Sequence, residues 1–511
     1  MIVLSILGMA CDRKSEKSQD APSWEFSTIY GVPNVDDDND DGVPDGTADL
    51  NASEDDLEPL EIDESYWANG ELTLTQNEDA FRIYENGELI MNSAGDSRSI
   101  SEDSFLEIEY LEYNTTGSLT LSQGDNSANI SLQSAPLIIN HHLQPAEMVY
   151  AMSYNGNGGN GLFISGLQNA LGNRFTAFDL QTYGWDVWIQ DELEFGTMVS
   201  PHTRIDVVID SIRDRGIDPL PEQELEGNGV AVQTWGEGWA NSQDSFGNLE
   251  ASPPVTVGDV EYPFGRIYYG DWRGETIHPE LTTFLDEQSV QAPVKLDITW
   301  LCVGHVDEFV TFVPDPSSDK GFKMLITDTE VGYEFFESLD PSSTLPKYGA
   351  DHGYSTVGAI VNDNALRMLN EDIQMDYIDP NIEAFKTEFG LTEDDIIRIP
   401  RLFEEAPGCG SYTATLLPGT VNMIVAPEAG TGEADLIMPD PYFRQAVNNQ
   451  ASDPFIEEVN SLLPDGSRPH WIDDWEWYHM ALGEVHCGSN TKRTPTSNWY
   501  ESALHLLGGE E

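Results

Sequence analysis

Two textures meet near residue 147, and the change of hydrophobic period there limits the folds open to the chain. Between residues 58 and 145 it runs in short alternating segments, "ELTLTQ", "FRIYENGELIM", "SFLEIEYLEY" and "GSLTLSQGDNSANISLQS". Alternation at period two builds half-buried strands, and "ENGE" and "QGDN" are hairpin turns. The pattern predicts a β-sandwich of roughly a hundred residues with no cluster of catalytic residue types. From about 147 strand-like runs alternate with helical ones, "EMVYAMSY", then "LFISGLQNALG", later "DPFIEEVNSLL". This predicts an α/β or α+β domain reaching the C-terminus, without a clean internal repeat. The expected division is a β-sandwich over 26–146 and a mixed domain over 147–511.

Charge sets the partners. Ninety-one acidic side chains face 23 basic ones, a formal charge of -68. Hydrophobic content of 39% and aromatic content of 10% still allow a large core and exclude global disorder. The field repels nucleic acid and anionic membranes and attracts cations. A cationic substrate, calcium or a saline habitat each fit, and a solvated acidic surface accounts for most of the charge. One stretch concentrates it: "NVDDDNDDGVPDGTADLNASEDD", residues 34–56, has aspartates alternating into Gly42 in the manner of a calcium loop. In one register Asp36, Asp38 and Asp40 converge; in the other Asp37, Asn39 and Asp41 do. A plain acidic linker is the alternative.

The start, "MIVLSILGMACDRKSEKSQD", resembles a bacterial lipoprotein signal over 1–11, with Cys11 lipidated and 12–25 a linker. That implies an exported protein with a lipid anchor at the cell envelope, although the apolar run is short and lacks a basic flank. Nothing else approaches the roughly 18 apolar residues of a membrane span. The cysteines are Cys11, Cys302, Cys409 and Cys487. If Cys11 carries lipid, an odd three remain and at least one thiol stays free. No disulfide scaffold is expected, and no C-x-x-C pair suits zinc. "GNGGNG", 156–161, matches a dinucleotide-binding loop, with Asp179 at a ribose-binding distance. A flexible strand-to-helix connection explains it equally well.

Three clusters carry chemistry. "MALGEVHCGSN", residues 480–490, sets His486 beside Cys487. In an extended segment neighbours point to opposite faces, so His486 is poorly placed to serve Cys487. "LDITWLCVGHVDEFVTFVP", 296–314, reads as a buried strand with His305 and Asp307 on one face. A His and an Asp are costly to bury together without a purpose, though a satisfied core pair is the commoner reason. "WDVWIQDELEF", 185–195, by alternation puts Gln190, Glu192 and Glu194 on one face, suited to calcium, and Asp191 on the other. A thiol, a histidine and two separated carboxylates suit a planar cation with several N–H donors, a guanidinium. The thiolate attacks its central carbon and the histidine moves protons, giving hydrolysis to a ureido group and ammonia.

At these residues the chain resembles the protein-arginine deiminases. "VWIQDELEFG", "DSFGNLEASPPVTV", "YPFGRI", "GHVDEFVTFVP" and "GEVHCGSN" stand in the family's order, with weaker matches at "APLIINHHLQP" and "IDDWEWYHM". The resemblance covers roughly residues 30–511. It implies a C-terminal five-bladed α/β propeller, the pentein fold, behind an immunoglobulin-like β-sandwich. Vertebrate members have two such β domains and this chain has room for one. It implies Cys487 as nucleophile, His305 as general acid/base, and Asp191 and Asp307 as holders of the guanidinium. It also implies Trp188 beside the substrate side chain and Arg213 and Arg215 on the substrate backbone. Several calcium ions are implied. One would be held by Gln190, Glu194 and Glu250 with carbonyls of Phe246 and Leu249. A second would be held by Glu192, Asp210, Ser211 and Asp214, where the family has Asn in place of Asp214. The acidic loop, with Asn34, Asp36, Asp38, Asp40, Asp45 and Asp56, falls where the family's β domain binds further calcium. Ala481 and Leu482 replace an Arg-His pair at the family's active-site entrance, which puts substrate preference in doubt. Arginine-containing proteins or peptides are the implied substrates. Free arginine or agmatine deimination, amidino transfer, and an inactive calcium-binding surface protein are the alternatives. The sequence carries no signal for oligomeric state.

Overall fold

The computed structural model describes residues 26–37, 44, 46 and 57–508. Cys11 and the loop positions Asp38, Asp40, Asp45 and Asp56 lie outside the described residues. Contacts gather into two units. The smaller comprises Pro59–Ile108 and Gly117–Leu132 with the chain up to Ile29; the larger comprises Tyr30–Glu58, Glu109–Thr116 and Gln133–Glu511. The described residues 30–37, 57–58, 109–116 and 133–146 therefore group with the larger unit rather than with the β-rich one.

In the smaller unit alternation becomes strand. Leu72–Gln76 buries Leu72, Leu74 and Gln76 and leaves Thr73 and Thr75 half-buried. It pairs antiparallel with Ser97–Ile100 and Thr116–Gln123. Phe81–Glu85 and Glu88–Met91 form a hairpin around Asn86 and Gly87, at φ 53° and 80°. Two successive left-handed residues are what a tight hairpin turn of this hand requires, and Asn-Gly supplies them.

The larger unit is mixed α/β and holds a repeat that the sequence reading missed. Five sheets share one pairing scheme, a central strand antiparallel to one neighbour and parallel to the other. The first centres on Ala146–Ser153, antiparallel to Ser489–Arg493 and parallel to Phe175–Asp179. The second centres on Arg204–Asp210, between Leu193–Val199 and Val230–Thr234. The third centres on Ile267–Asp271, between Leu249–Ala251 and Val294–Asp297. The fourth centres on Phe322–Asp328, between Val310–Pro314 and Ile396–Pro400. The fifth centres on Ala434–Pro439, between Ile424–Pro427 and Ser467–Ile472. Parallel pairing needs a crossover, and α-helices such as Gly161–Leu171, Pro279–Gln288 and Pro454–Leu462 lie on these connections. Asp453 begins the last of them, accepting from the N–H groups of Phe455 and Ile456 ahead of Pro454. Central strands such as Ala434–Pro439 are buried on both faces, which is why they read as apolar runs.

The loop holding "GNGGNG" does link a strand to a helix, and its second asparagine is spent on the fold. Asn160 donates to Met152 O at 2.7 Å and accepts from Tyr154 N at 2.9 Å. Among the described residues no helix is long and apolar enough to cross a membrane.

Against expectation the described residues include one disulfide, Cys302–Cys409, with Cα atoms 5.8 Å apart, and Cys487 is their free thiol. Cysteine parity was compatible with this pairing; a separation of 107 residues gave no clue to it. Closing a loop of that length restricts the unfolded chain by about 5 kcal/mol. Cys302→Ser is expected to lower the denaturation free energy by about that amount, read from the shift in urea midpoint. A midpoint unchanged from wild type refutes a stabilising role.

Candidate active site

The candidate residues sit at equivalent places in the repeat, just ahead of the antiparallel strand of each sheet. Cys487 precedes Ser489–Arg493, Asp191 precedes Leu193–Val199, and Gly247 precedes Leu249–Ala251. His305 and Asp307 precede Val310–Pro314, and Asn422 precedes Ile424–Pro427. These ends converge. The N–H of Gln190 donates to Cys487 O at 3.3 Å, which ties the Asp191 turn to the thiol turn.

Alternation misplaced three side chains. Ile189–Glu192 is a single helical turn, and the strand begins only at Leu193. Gln190, Glu192 and Glu194 therefore do not share a face. Gln190 and Glu194 meet at 2.8 Å, and Gln190 also donates to Phe246 O at 3.2 Å. Glu192 turns instead toward Asp210, while Asp191 accepts from Arg215 at 2.6 Å. Residues 296–314 are likewise not one strand. Val306–Glu308 is a 3-10 turn, opened by Glu308 accepting from the N–H groups of Gly304 and His305 at 2.9 and 2.8 Å. Residues around Cys487 form a turn rather than an extended segment, so His486 does approach the site.

Its geometry fixes the tautomer of His305. Nε2 lies 2.8 Å from Ser242 O, a carbonyl that only accepts, so Nε2 carries the proton. Nδ1 is then a bare lone pair, buried without a hydrogen-bond partner, 3.8 Å from Asp191 Oδ1. Asp307 Oδ1 is also buried without a partner. Its Oδ2 accepts from His486 Nδ1 at 2.9 Å and lies 3.6 Å from Cys487 Sγ. Asn422, which the sequence reading missed, holds the thiol turn. Its Oδ1 accepts from the N–H groups of His486 and Cys487 at 3.0 and 3.2 Å, and its Nδ2 donates to Sγ at 3.2 Å. Burial, and then the charges of Asp307 and Asp191, push the thiol well above its ordinary value. Gly247 lies against this pair: a Cβ there would stand 2.8 Å from His305 Nδ1 and 3.0 Å from Asp307 Oδ2. A cavity beside Cys487 is lined by Glu308, Asn422, Leu482 and Gly483. Trp188 is half-buried, with the backbone of Gly483 against its ring.

Arg215 is engaged twice, by Asp186 at 2.6 and 2.8 Å and by Asp191, and Arg213 Nη1 lies 3.9 Å from Asp191. Both arginines face the carboxylate expected to hold substrate.

Two carboxylate groups flank the Asp191 turn. Both Glu192 oxygens and Asp210 Oδ1 are buried without hydrogen-bond partners. Burial and then Asp210 push Glu192 up to about 9, and burial raises Asp210 to about 7, with Asp214 and Asp218 adding. Ser211 Oγ is spent on Asp244 O at 2.9 Å, and Asp214 is exposed. The second group joins Gln190, Glu194, Phe246 and Glu250; burial and then Glu250 raise Glu194 to about 8. Leu249 is buried in the adjoining strand. Apposed carboxylates that desolvation drives toward protonation suit hard cations. Of the acidic loop, Asn34 and Asp36 are described: Asn34 donates to Glu109 at 2.9 Å and Asp36 accepts from Gly229 N at 2.9 Å.

The family model that matches is "Protein-arginine deiminase (PAD)", over residues 126–501. The human type-4 protein-arginine deiminase is 37% identical over 379 residues, covering 72% of this chain and 55% of the relative. The mouse type-1 enzyme is 35% identical over 394 residues, covering 73% and 57%. The chain thus spans a little over half the length of these relatives. An agmatine deiminase from C. jejuni aligns over 71% of this chain and 98% of its own, at 8% identity and a TM-score of 0.38, too low to carry an argument.

Proposed function

The chain belongs to the protein-arginine deiminase family, and from that premise we propose that it hydrolyses peptide-linked arginine to citrulline and ammonia under calcium control. One observation carries the reading: beside the Cys487 thiol, His305 Nδ1 and Asp307 Oδ1 are buried acceptors with no donor. A guanidinium has donors for both and a planar carbon for the thiol.

In the proposed reaction Asp191 and Asp307 grip the guanidinium, whose donors take the place Arg215 now holds on Asp191. The bound cation offsets the two carboxylate charges that raise the thiol, and Cys487 passes its proton to the bare Nδ1 of His305. Sγ bonds to the guanidinium carbon. The C–N bond breaks as the protonated Nδ1 of His305 passes a proton to the leaving nitrogen, giving ammonia and a thiouronium. His305 then takes a proton from water, which attacks the same carbon. The C–S bond breaks and citrulline leaves. Asn422 keeps Sγ aimed throughout, and Ala481 and Leu482 stand where relatives carry an Arg-His pair at the entrance.

Calcium fits the two carboxylate groups, in which both Glu192 oxygens, Asp210 Oδ1 and Glu250 Oε1 are buried without donors. Glu192, Asp210, Ser211 and Asp214 would hold one ion; Gln190, Glu194, Glu250 and the carbonyls of Phe246 and Leu249 would hold another. Bound calcium supplies the charge that lets these carboxylates ionise in place. The 189–192 turn carrying Asp191 lies between the two sets, so its position follows their occupancy. The acidic loop is proposed as a further calcium region.

A five-bladed propeller is part of the same proposal. Five sheets of one scheme support it, and the first draws a strand from each end of the unit. An immunoglobulin-like sandwich over the β-rich unit belongs to it too. Export with a lipid anchor at Cys11 is supported by the disulfide, a bond of oxidising compartments.

Gly247→Ala is expected to lower kcat about 10²-fold, because its Cβ displaces His305 and Asp307 by a fraction of an ångström or more. Circular dichroism should stay unchanged; a variant at wild-type rate refutes the close packing. Substrate class is tested by comparing a blocked arginine amide with free arginine and agmatine. The amide is expected to turn over at least tenfold faster by kcat/KM, and preference for a free guanidine overturns the peptide reading.

A further inference from the structure

Behind the thiol, on the far side of Asp307, lies a second cluster that the reaction does not use. His142, Glu250 and His486 are buried, and one donor atom from each falls within 4.8 Å of the others. His142 Nε2 is 3.0 Å from Glu250 Oε2, and His486 Nε2 is 3.6 Å from Glu250 Oε1. Glu250 Oε1 has no hydrogen-bond partner. The outer ring nitrogens are held: His142 Nδ1 by Thr311 Oγ1 at 2.8 Å, His486 Nδ1 by Asp307 Oδ2 at 2.9 Å. Both imidazoles thus turn Nε2 toward one carboxylate, in the outer-shell arrangement that orients metal-binding histidines.

We propose that His142, Glu250 and His486 form a site for a divalent transition-metal ion of the zinc class, and that its occupancy antagonises calcium. Two imidazoles and one carboxylate suit zinc, with a water completing four-coordination. Calcium takes oxygen ligands and has no use for the imidazoles. Binding frees His142 Nε2 by moving its proton to Nδ1 through exchange with solvent, with no net proton released. The Thr311 hydroxyl allows the change of tautomer, since it can donate to Nδ1 or accept from it. His486 keeps its Nδ1 proton on Asp307. Glu250 is the shared residue: a zinc ion holding it takes it from the oxygen set with Gln190 and Glu194. The antagonism, though not the binding, rests on the calcium reading above.

The test is equilibrium dialysis of zinc against the full chain in calcium-free buffer, which needs no turnover. One tight ion per chain is expected, retained in Cys487→Ala. His142→Asn should weaken uptake at least about tenfold, and Thr311→Val about 10- to 100-fold. Thr311→Val leaves all three ligands in place and serves if His142→Asn fails to fold. Added calcium should raise the apparent zinc Kd in wild type. No tight zinc uptake overturns the site. Uptake lost in Cys487→Ala but kept in both other variants also overturns it, placing the ion on the thiol. Zinc uptake indifferent to calcium overturns the antagonism alone.

Discussion

Cys487→Ala is expected to abolish citrulline formation, with kcat down about 10⁵-fold or more, the scale seen when a covalent nucleophile is removed. The loss should be confined to chemistry. The side chain is small, the turn around it is held by Asn422 through backbone N–H groups, and neither carboxylate group includes it. Thermal midpoint and calcium-induced stabilisation should therefore stay close to wild type. A residual rate within tenfold of wild type contradicts the nucleophile assignment.

Asp307→Asn is expected to cost about 10³-fold in kcat/KM, because it removes one of two buried charges that meet the guanidinium. The same change should make the thiol easier to ionise. A negative charge 3.6 Å from Sγ disfavours the thiolate, and deleting it lowers the pH at which the thiolate forms. Iodoacetamide alkylation of Cys487, followed against pH, should rise at lower pH in the variant while deimination collapses. Reactivity and turnover then move in opposite directions, which general unfolding does not produce. An alkylation curve unmoved or moved to higher pH contradicts the electrostatic account.

What was legible in the sequence divides by physical cause. Alternation found the strand Leu72–Gln76, and Asn86-Gly87 gave away the hairpin of Phe81–Glu85 with Glu88–Met91, because both signals are local. Alternation failed at Gln190, Glu192 and Glu194 because one helical turn precedes the strand and shifts each side chain by about 100° rather than 180°. The single-strand reading of residues 296–314 failed too, because Glu308 closes a 3-10 turn inside the apolar run, although His305 and Asp307 still meet beside Gly247. Motif order, which does not depend on period, placed Glu192 with Asp210 and Gln190 with Glu194. The fivefold repeat stayed hidden because it lives in the pairing scheme, while its strands and crossovers differ in length and composition. Asn422 had no signal at all: an asparagine in "TVNMIVAP" becomes meaningful only once its strand end lies against the turn of Cys487.

The most direct test is citrulline formation from a blocked arginine amide, run side by side in saturating calcium and in excess chelator, with Cys487 reduced. Product in calcium and none in chelator is the expected result, and it supports the reaction and its metal control together. No product in calcium from folded protein contradicts deimination of peptide-linked arginine, and equal rates in the two buffers contradict the control by calcium.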